Sequence, residues 1–182
     1  TATLRLLADR LGGHNRTRNG RADHVAEIKA ASNKKIHDLL APQIAYLEAM
    51  RKALPEDGIV VDELTQMGYA ARFAWPTYRL RTFLSPGYQG TLGWGYATAL
   101  GAKIARPDTA VLSISGDGGF MFTAMEMATA AQHGIGVVAV VFSDGAFGNV
   151  RRIQQQSFNN RTIATELRNP DFVKLAESFG ID

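Results

Sequence analysis

Ser115-Gly116-Asp117-Gly118-Gly119-Phe120 closes an apolar run that begins at Ala110, and the reading of these few residues decides the fold. Val111, Leu112 and Ile114 dominate the run, as expected of a short strand buried on both faces. The glycines then break it, and Phe122 to His133 reads as a helix. A strand that passes through a glycine-rich turn into a helix is the repeating unit of a parallel α/β sheet. Ligands of such sheets bind beyond the carboxyl ends of the strands. Glycine lets the backbone approach a ligand closely, and the free N–H groups at a helix start favour an anion, phosphate above all. Asp117 in their midst would repel a bare phosphate. A cation between the two resolves the conflict. Magnesium fits, because it takes hard oxygen ligands from one or two carboxylates plus phosphates.

The next strand, Val137 to Phe142, is apolar throughout and ends in Ser143-Asp144-Gly145-Ala146. Asp144 follows Asp117 by 27 residues, room for one helix and one strand to return to the same sheet edge. Two carboxylates are therefore expected at one metal. Upstream, Ile59-Val60-Val61 reads as a strand with a helix starting near Glu63, and Arg81 to Leu84 as another strand. Pro86 to Gly90 breaks it, and Leu92 to Ala105 is a helix rich in glycine and alanine. Before these lie helices at Thr3 to Leu11 and Ala22 to Leu40, and a third that restarts at Ala41-Pro42 with Ile44, Leu47, Met50 and Leu54 on one face. Phe147 to Gln156 and Pro170 to Phe179 are the last predicted helices. The expected fold is α/β, a three-layer sandwich with a mostly parallel sheet flanked by helices.

With 182 residues and 46% hydrophobic content, the chain suits one sizeable globular domain and not two. Residues 1–20 read as the tail of a preceding domain or a linker, and residues 21–182 as the domain itself. A helix just before Gly180-Ile181-Asp182 leaves the expectation that another strand follows and that the domain is truncated at its C-terminus. No apolar run is long enough for a membrane helix. Thr1 to Leu11 lacks the long apolar stretch and cleavage site of a secretory leader, and cysteine is absent, so a cytoplasmic location is the expectation. The formal charge is only +3, concentrated in Arg10, Arg16, Arg18 and Arg21 with His14 and His24 nearby. No aromatic residue interleaves these charges, so the segment reads as a solvated linker and no nucleic-acid partner is expected.

Several further segments fall into one pattern. Gly90-Thr91-Leu92-Gly93-Trp94-Gly95, Ala99-Leu100-Gly101-Ala102, Met125-Glu126-Met127-Ala128-Thr129 and Gly148-Asn149-Val150-Arg151 flank the two aspartates in order. Together they resemble the thiamine-diphosphate enzymes of the pyruvate decarboxylase and acetohydroxyacid synthase superfamily, whose signature is Gly-Asp-Gly followed, after a spacer of the length seen here, by Asn-Asn. The match runs from about Pro42 to Asp182 and implies the C-terminal, diphosphate-binding domain. It implies that Asp117, Asp144 and the carbonyl of Ala146 hold magnesium, and that backbone groups of Gly118, Gly119 and Phe120 contact the diphosphate. The Gly90 carbonyl and Leu92 N–H would meet the pyrimidine, with the Leu92 side chain wedged beneath the cofactor to hold it bent.

The resemblance also implies a 2-oxoacid substrate, decarboxylase or carboligase (acetolactate-synthase-like) chemistry, and a homo-oligomer. Both reaction types use every residue named here, so the choice between them stays open. Two positions depart from the family. Ser143-Asp144 stands for Asn-Asn, adding negative charge near the diphosphate, and Ile153 stands where acetohydroxyacid synthases carry tryptophan. The activating glutamate of the family lies on a pyrimidine-binding domain, which no segment here resembles. Glu63 and Glu126 fall in predicted helices and read as exposed or interface structure. No catalytic residue is therefore assigned, and the chain alone is expected to be inert. The alternative is a non-catalytic cofactor-binding or assembly module descended from such enzymes. A nicotinamide site would need Gly-x-Gly-x-x-Gly after the first strand, and none occurs. Met121, Phe122, Met125 and Met127 read as helix packing, Trp94 and Tyr96 as core or interface, and the histidines show no ligand spacing.

Overall fold

The structure, a computed structural model, describes residues 2–14 and 20–182, so Arg16 and Arg18 of the basic segment lie outside the described residues. Two compact units divide between Lys35 and Ile36. In the first, α1 (Ala2–Leu11) leads into a short 3-10 turn, Gly12–His14. No residue of α1 is buried, and Leu4, Leu6, Leu7 and Leu11 are exposed. Next, α2 (Ala22–Ala53) carries one non-helical residue, Leu40, two positions before Pro42. Proline lacks an N–H and crowds the preceding turn, which accounts for the restart expected at Ala41-Pro42.

The second unit holds the sheet. It is built from β1 (Ile59–Asp62), α3 (Gln66–Ala74), β2 (Phe83–Leu84), α4 (Trp94–Ala105), β3 (Val111–Gly116), α5 (Asp117–Phe120), α6 (Met127–His133), β4 (Val138–Phe142), α7 (Gly148–Ser157) and α8 (Phe172–Ser178). The four strands run parallel in the order β2-β1-β3-β4. Side chains alternate between faces along a strand. Val60, Leu112 and Ile114 accordingly pack with Leu47 of α2 and Met67, Ala70 and Ala71 of α3. Ile59, Val61 and Val111 face the other way, onto Ala99 of α4. A further cluster, with Tyr96, Leu100, Phe120 and Met127, takes in Phe172 and Leu175 of α8. The sheet thus lies between two helical layers, the three-layer α/β arrangement expected. Each fully buried aliphatic side chain, such as Val60, Val61 or Ile114, stabilises it by about 1.5–3 kcal/mol. Among the described residues, no helix is long and apolar enough to cross a membrane.

Two local differences from the predicted elements bear on the site. The helix expected from Glu63 starts at Gln66, because the Thr65 N–H closes a tight turn onto the Glu63 carbonyl at 2.8 Å and Thr65 is extended. Glu63 therefore sits in a connection at the sheet edge. The helix expected over Phe122 to His133 is broken. Phe122, Thr123 and Glu126 donate to carbonyls three residues back, and the Thr123 hydroxyl donates to the Gly93 carbonyl at 3.1 Å. These ties leave Met121, Phe122 and Met125 exposed, and of that group only Met127 packs into the core.

Candidate functional site

β3 delivers Asp117 to the carboxyl edge of the sheet. The register pairs Gly116 with Phe142, so the residues following β3 and β4 emerge side by side. That pairing brings together groups 27 positions apart in sequence. Asp117 is 2% exposed, and its carboxylate is held by four donors. Oδ1 accepts from the Gly118 N–H at 2.8 Å, and Oδ2 from the Gly145 N–H at 2.8 Å, Asn169 Nδ2 at 2.6 Å and the Ser143 hydroxyl at 3.3 Å. Asp144 is exposed, and its Oδ1 accepts from the Ala146 N–H at 3.2 Å. Gly145 between them has φ +71°, a conformation that glycine adopts without strain.

A cavity of about 890 Å³ opens over this edge, of a size that suits a small-molecule ligand. Leu92, Asp117, Gly118, Gly119, Asp144 and Ala146 all line it, so most of the residues predicted for the site share one space. Gly90 and Phe120 do not line it. The Phe120 ring points into the core, edge-on to Tyr96 at 5.3 Å and Phe172 at 5.8 Å, and any contribution it makes to a ligand comes from its backbone. Tyr96 is buried and the half-buried Trp94 packs against a core cluster, as expected of core residues. Arg152 places a positive charge on the cavity wall and donates to Asn149 Oδ1 at 2.8 Å.

The residues present fit a magnesium-bridged diphosphate. Among the described residues there is no group of three or more His, Asp or Glu that could hold a metal by itself. Asp117 and Asp144 offer the two carboxylates that magnesium combines with phosphate oxygens. The loop between them and the cavity has no room for side chains. A Cβ on Gly118 would lie 2.6 Å from Phe147 Cε1, and one on Gly119 would lie 2.7 Å from the Glu63 carboxyl. Bare backbone therefore faces the cavity there.

Two residues of this neighbourhood were not predicted to belong to it. Asn169 lies 52 residues beyond Asp117, on a segment that returns across the site. Its return is fixed by an antiparallel bridge between Ala146 and Glu166, and by bonds from the Phe147 N–H to Thr165 O and from the Leu167 N–H to Gly145 O, both 2.8 Å. No local motif marks it, since Asn169-Pro170-Asp171 reads simply as the start of α8. Glu63 is the second and corrects an expectation. Read as exposed or interface structure on a helix, it is 1% exposed. The Gly93 N–H donates to Oε1, and Oε2 has no hydrogen-bond partner. Burial pushes its carboxyl above the ordinary range, against the opposing pull of the Ser115 hydroxyl and the N–H groups of Gly93, Gly95 and Trp94. Glu126 is half-buried in a 3-10 turn and accepts from the Thr129 hydroxyl at 2.8 Å.

Residues 64–182 match the family described as thiamine pyrophosphate enzyme, C-terminal TPP binding domain. A probable 2-ketoarginine decarboxylase of Pseudomonas aeruginosa is 32% identical over 179 residues, which are 98% of this chain and 32% of that protein. A probable acetolactate synthase large subunit of Methanococcus aeolicus is 44% identical over 102 residues, 56% of this chain and 17% of that protein. Among solved structures, the thiamine diphosphate-dependent 4-hydroxybenzoylformate decarboxylase of Rhodococcus jostii RHA1 is similar with a TM-score of 0.70 and 29% identity, covering 76% of this chain and 26% of that one. The chain spans about a third or less of the length of these relatives.

Proposed function

The chain belongs to the thiamine pyrophosphate enzyme family, as its C-terminal TPP-binding domain, and from that we propose that it is the diphosphate- and magnesium-binding part of a 2-oxoacid decarboxylase or carboligase. The observation that carries this reading is the single cavity shared by Leu92, Asp117, Gly118, Gly119, Asp144 and Ala146. Asp117, Asp144 and the Ala146 carbonyl would hold magnesium. Backbone groups of Gly118, Gly119 and Phe120 would meet the diphosphate, and Gly90 and Leu92 the pyrimidine. When bound, thiamine diphosphate supplies a carbon nucleophile that adds to the 2-oxoacid carbonyl and an electron sink for the loss of carbon dioxide.

The chain's own contribution is to bind and orient. Four donors hold the Asp117 carboxylate in one place, so it would offer a metal a pre-set oxygen and not a swinging side chain. Leu92 presents an apolar side chain to the cavity, against which the cofactor would rest. Asp144 adds a negative charge where the family carries asparagine, and Arg152 brings a positive charge to the same cavity wall. The proton-transferring glutamate would come from a pyrimidine-binding domain of the same or a partner subunit, which leaves this chain alone inert. The exposed Met121, Phe122 and Met125, close together in sequence, support such a partner, and the family resemblance supports a homo-oligomer.

Calorimetric titration of thiamine diphosphate into the chain, with magnesium and then with chelator, tests the reading. Magnesium-dependent binding that disappears in Asp117→Ala is the expected result. Binding indifferent to chelator would overturn the metal-bridged site, and no binding at all would overturn the cofactor assignment.

A further inference from the structure

Glu63 does not line the cavity described above, yet it is 1% exposed and directly behind it. Its carboxyl lies between two segments that are distant in sequence. On one side is the start of α4, where the Gly93 N–H donates to Oε1 and a Cβ on Gly95 would lie 3.2 Å from Oε2. On the other is the glycine loop, where a Cβ on Gly119 would lie 2.7 Å from Cδ and Oε1 and 2.9 Å from Oε2. The carboxyl group therefore lies flat against the Gly119 Cα. Leu92, next to Gly93, and Gly119 both line the cavity, while Glu63 stands behind them.

Burying this carboxyl costs more than the donors around it return, and an apolar side chain of similar length would fill the same space without that cost. Core packing alone does not account for an acid here. What the acid adds is a fixed, directional acceptor for the Gly93 N–H, on a group that simultaneously sets how closely the Gly119 loop can approach. Gly93, with φ +83°, is the N-cap of α4, so its orientation decides where the residue before it points.

We propose that Glu63 is a positioning residue that fixes the separation between Leu92 and the Gly118–Gly119 loop, and so makes the cavity select whole thiamine diphosphate over its diphosphate alone. The inference rests on the thiamine-diphosphate reading above. Nothing about it requires Glu63 to touch the cofactor.

The test is a pair of calorimetric titrations of the chain in magnesium, one with thiamine diphosphate and one with inorganic diphosphate, for the unaltered protein, Glu63→Ala and Glu63→Gln. Glu63→Ala is expected to lower the affinity for thiamine diphosphate about tenfold, equivalent to about 1.4 kcal/mol, while inorganic diphosphate binds as before. Glu63→Gln keeps an acceptor for Gly93 in the same shape and is expected to restore the preference. Should Glu63→Ala not fold, Glu63→Asp, too short to reach both Gly93 and Gly119, is expected to show the same selective loss. Equal losses for both ligands, or no loss for thiamine diphosphate, would overturn the positioning role and leave the cofactor assignment standing. Failure of the unaltered chain to bind thiamine diphosphate would instead overturn the cofactor assignment, and the inference with it.

Discussion

Replacing Gly119 by alanine drives a methyl group into the carboxyl of Glu63. The added Cβ would lie 2.7 Å from Cδ and Oε1 and 2.9 Å from Oε2, closer than carbon atoms approach such neighbours. Glu63 has little freedom to yield, because it is 1% exposed and accepts from the Gly93 N–H. Forcing an extra methyl into a packed interior costs about 1–3 kcal/mol. Against this stands the helix propensity that alanine gains over glycine, at most about 1 kcal/mol, and smaller in a helix of four residues such as α5. Steric cost wins, for a net loss of about 1–2 kcal/mol. At about 2–4 °C per kcal/mol for a chain of this size, Tm should fall by roughly 2–8 °C. The cause can be isolated by a double-mutant cycle. In a Glu63→Ala background the carboxyl is gone and the Gly119→Ala methyl has space, so the two changes should couple by about 0.5–3 kcal/mol. Glu63→Gln keeps the shape and should give no relief. Urea unfolding followed by circular dichroism measures each corner of the cycle. Costs for Gly119→Ala that agree within about 0.5 kcal/mol in the two backgrounds would refute the packing of Gly119 on Glu63.

Asn169→Ala removes the donor 2.6 Å from Asp117 Oδ2, and a buried carboxylate deprived of one of its donors should cost about 1–3 kcal/mol in urea unfolding. Asn169→Asp should cost more, since it sets one carboxylate against another; equal stability of all three proteins would count against Asn169 as an anchor of the site. Asp144→Ala, which removes the side-chain oxygens altogether, is expected to raise the magnesium concentration needed for thiamine-diphosphate binding, read from titrations across metal concentration, and an unchanged requirement would remove Asp144 from the metal site. Burial raises the carboxyls of Glu63 and Asp62 above their ordinary values of 4.5 and 3.8, in Asp62 against the pull of Ser85 and of Arg72. A raised acid holds its proton more tightly in the folded state, so the stability it supports is whole below the ordinary value and is lost as pH rises through the raised one. Unfolding measured across pH should therefore show Glu63→Gln gaining on the unaltered chain as pH climbs above 4.5, whereas parallel profiles would contradict the burial of an ionisable group there.

Much of this protein was legible without coordinates because the signals are local. The apolar run before Ser115 and the run Val137 to Phe142 are short and lead into glycine-bearing turns, so each reads as a strand of a parallel sheet. β3 is buried from Val111 to Ser115 as that reading expects, whereas β4, last in the strand order, leaves Val138 63% exposed. The restart at Pro42 follows from one residue's missing N–H. Where competing contacts decide, the same reasoning failed. Apolar spacing read Phe122 to His133 as one helix, but the Thr123 hydroxyl is drawn to the Gly93 carbonyl, thirty positions away, and breaks it. Glu63 follows a strand and has good helix propensity, yet the turn closed by Thr65 turns it inward.

The sequence by itself determined the parallel α/β class and the two aspartates at its edge, because strand period, glycine turns and the helix-plus-strand spacing are properties of neighbouring residues. Tertiary structure alone decided that Asn169 anchors Asp117 and that Glu63 stands buried between Gly93 and Gly119. Both contacts join segments at least thirty residues apart, and such distances are closed only by the packing of the sheet and its helices, to which no local pattern in the chain refers.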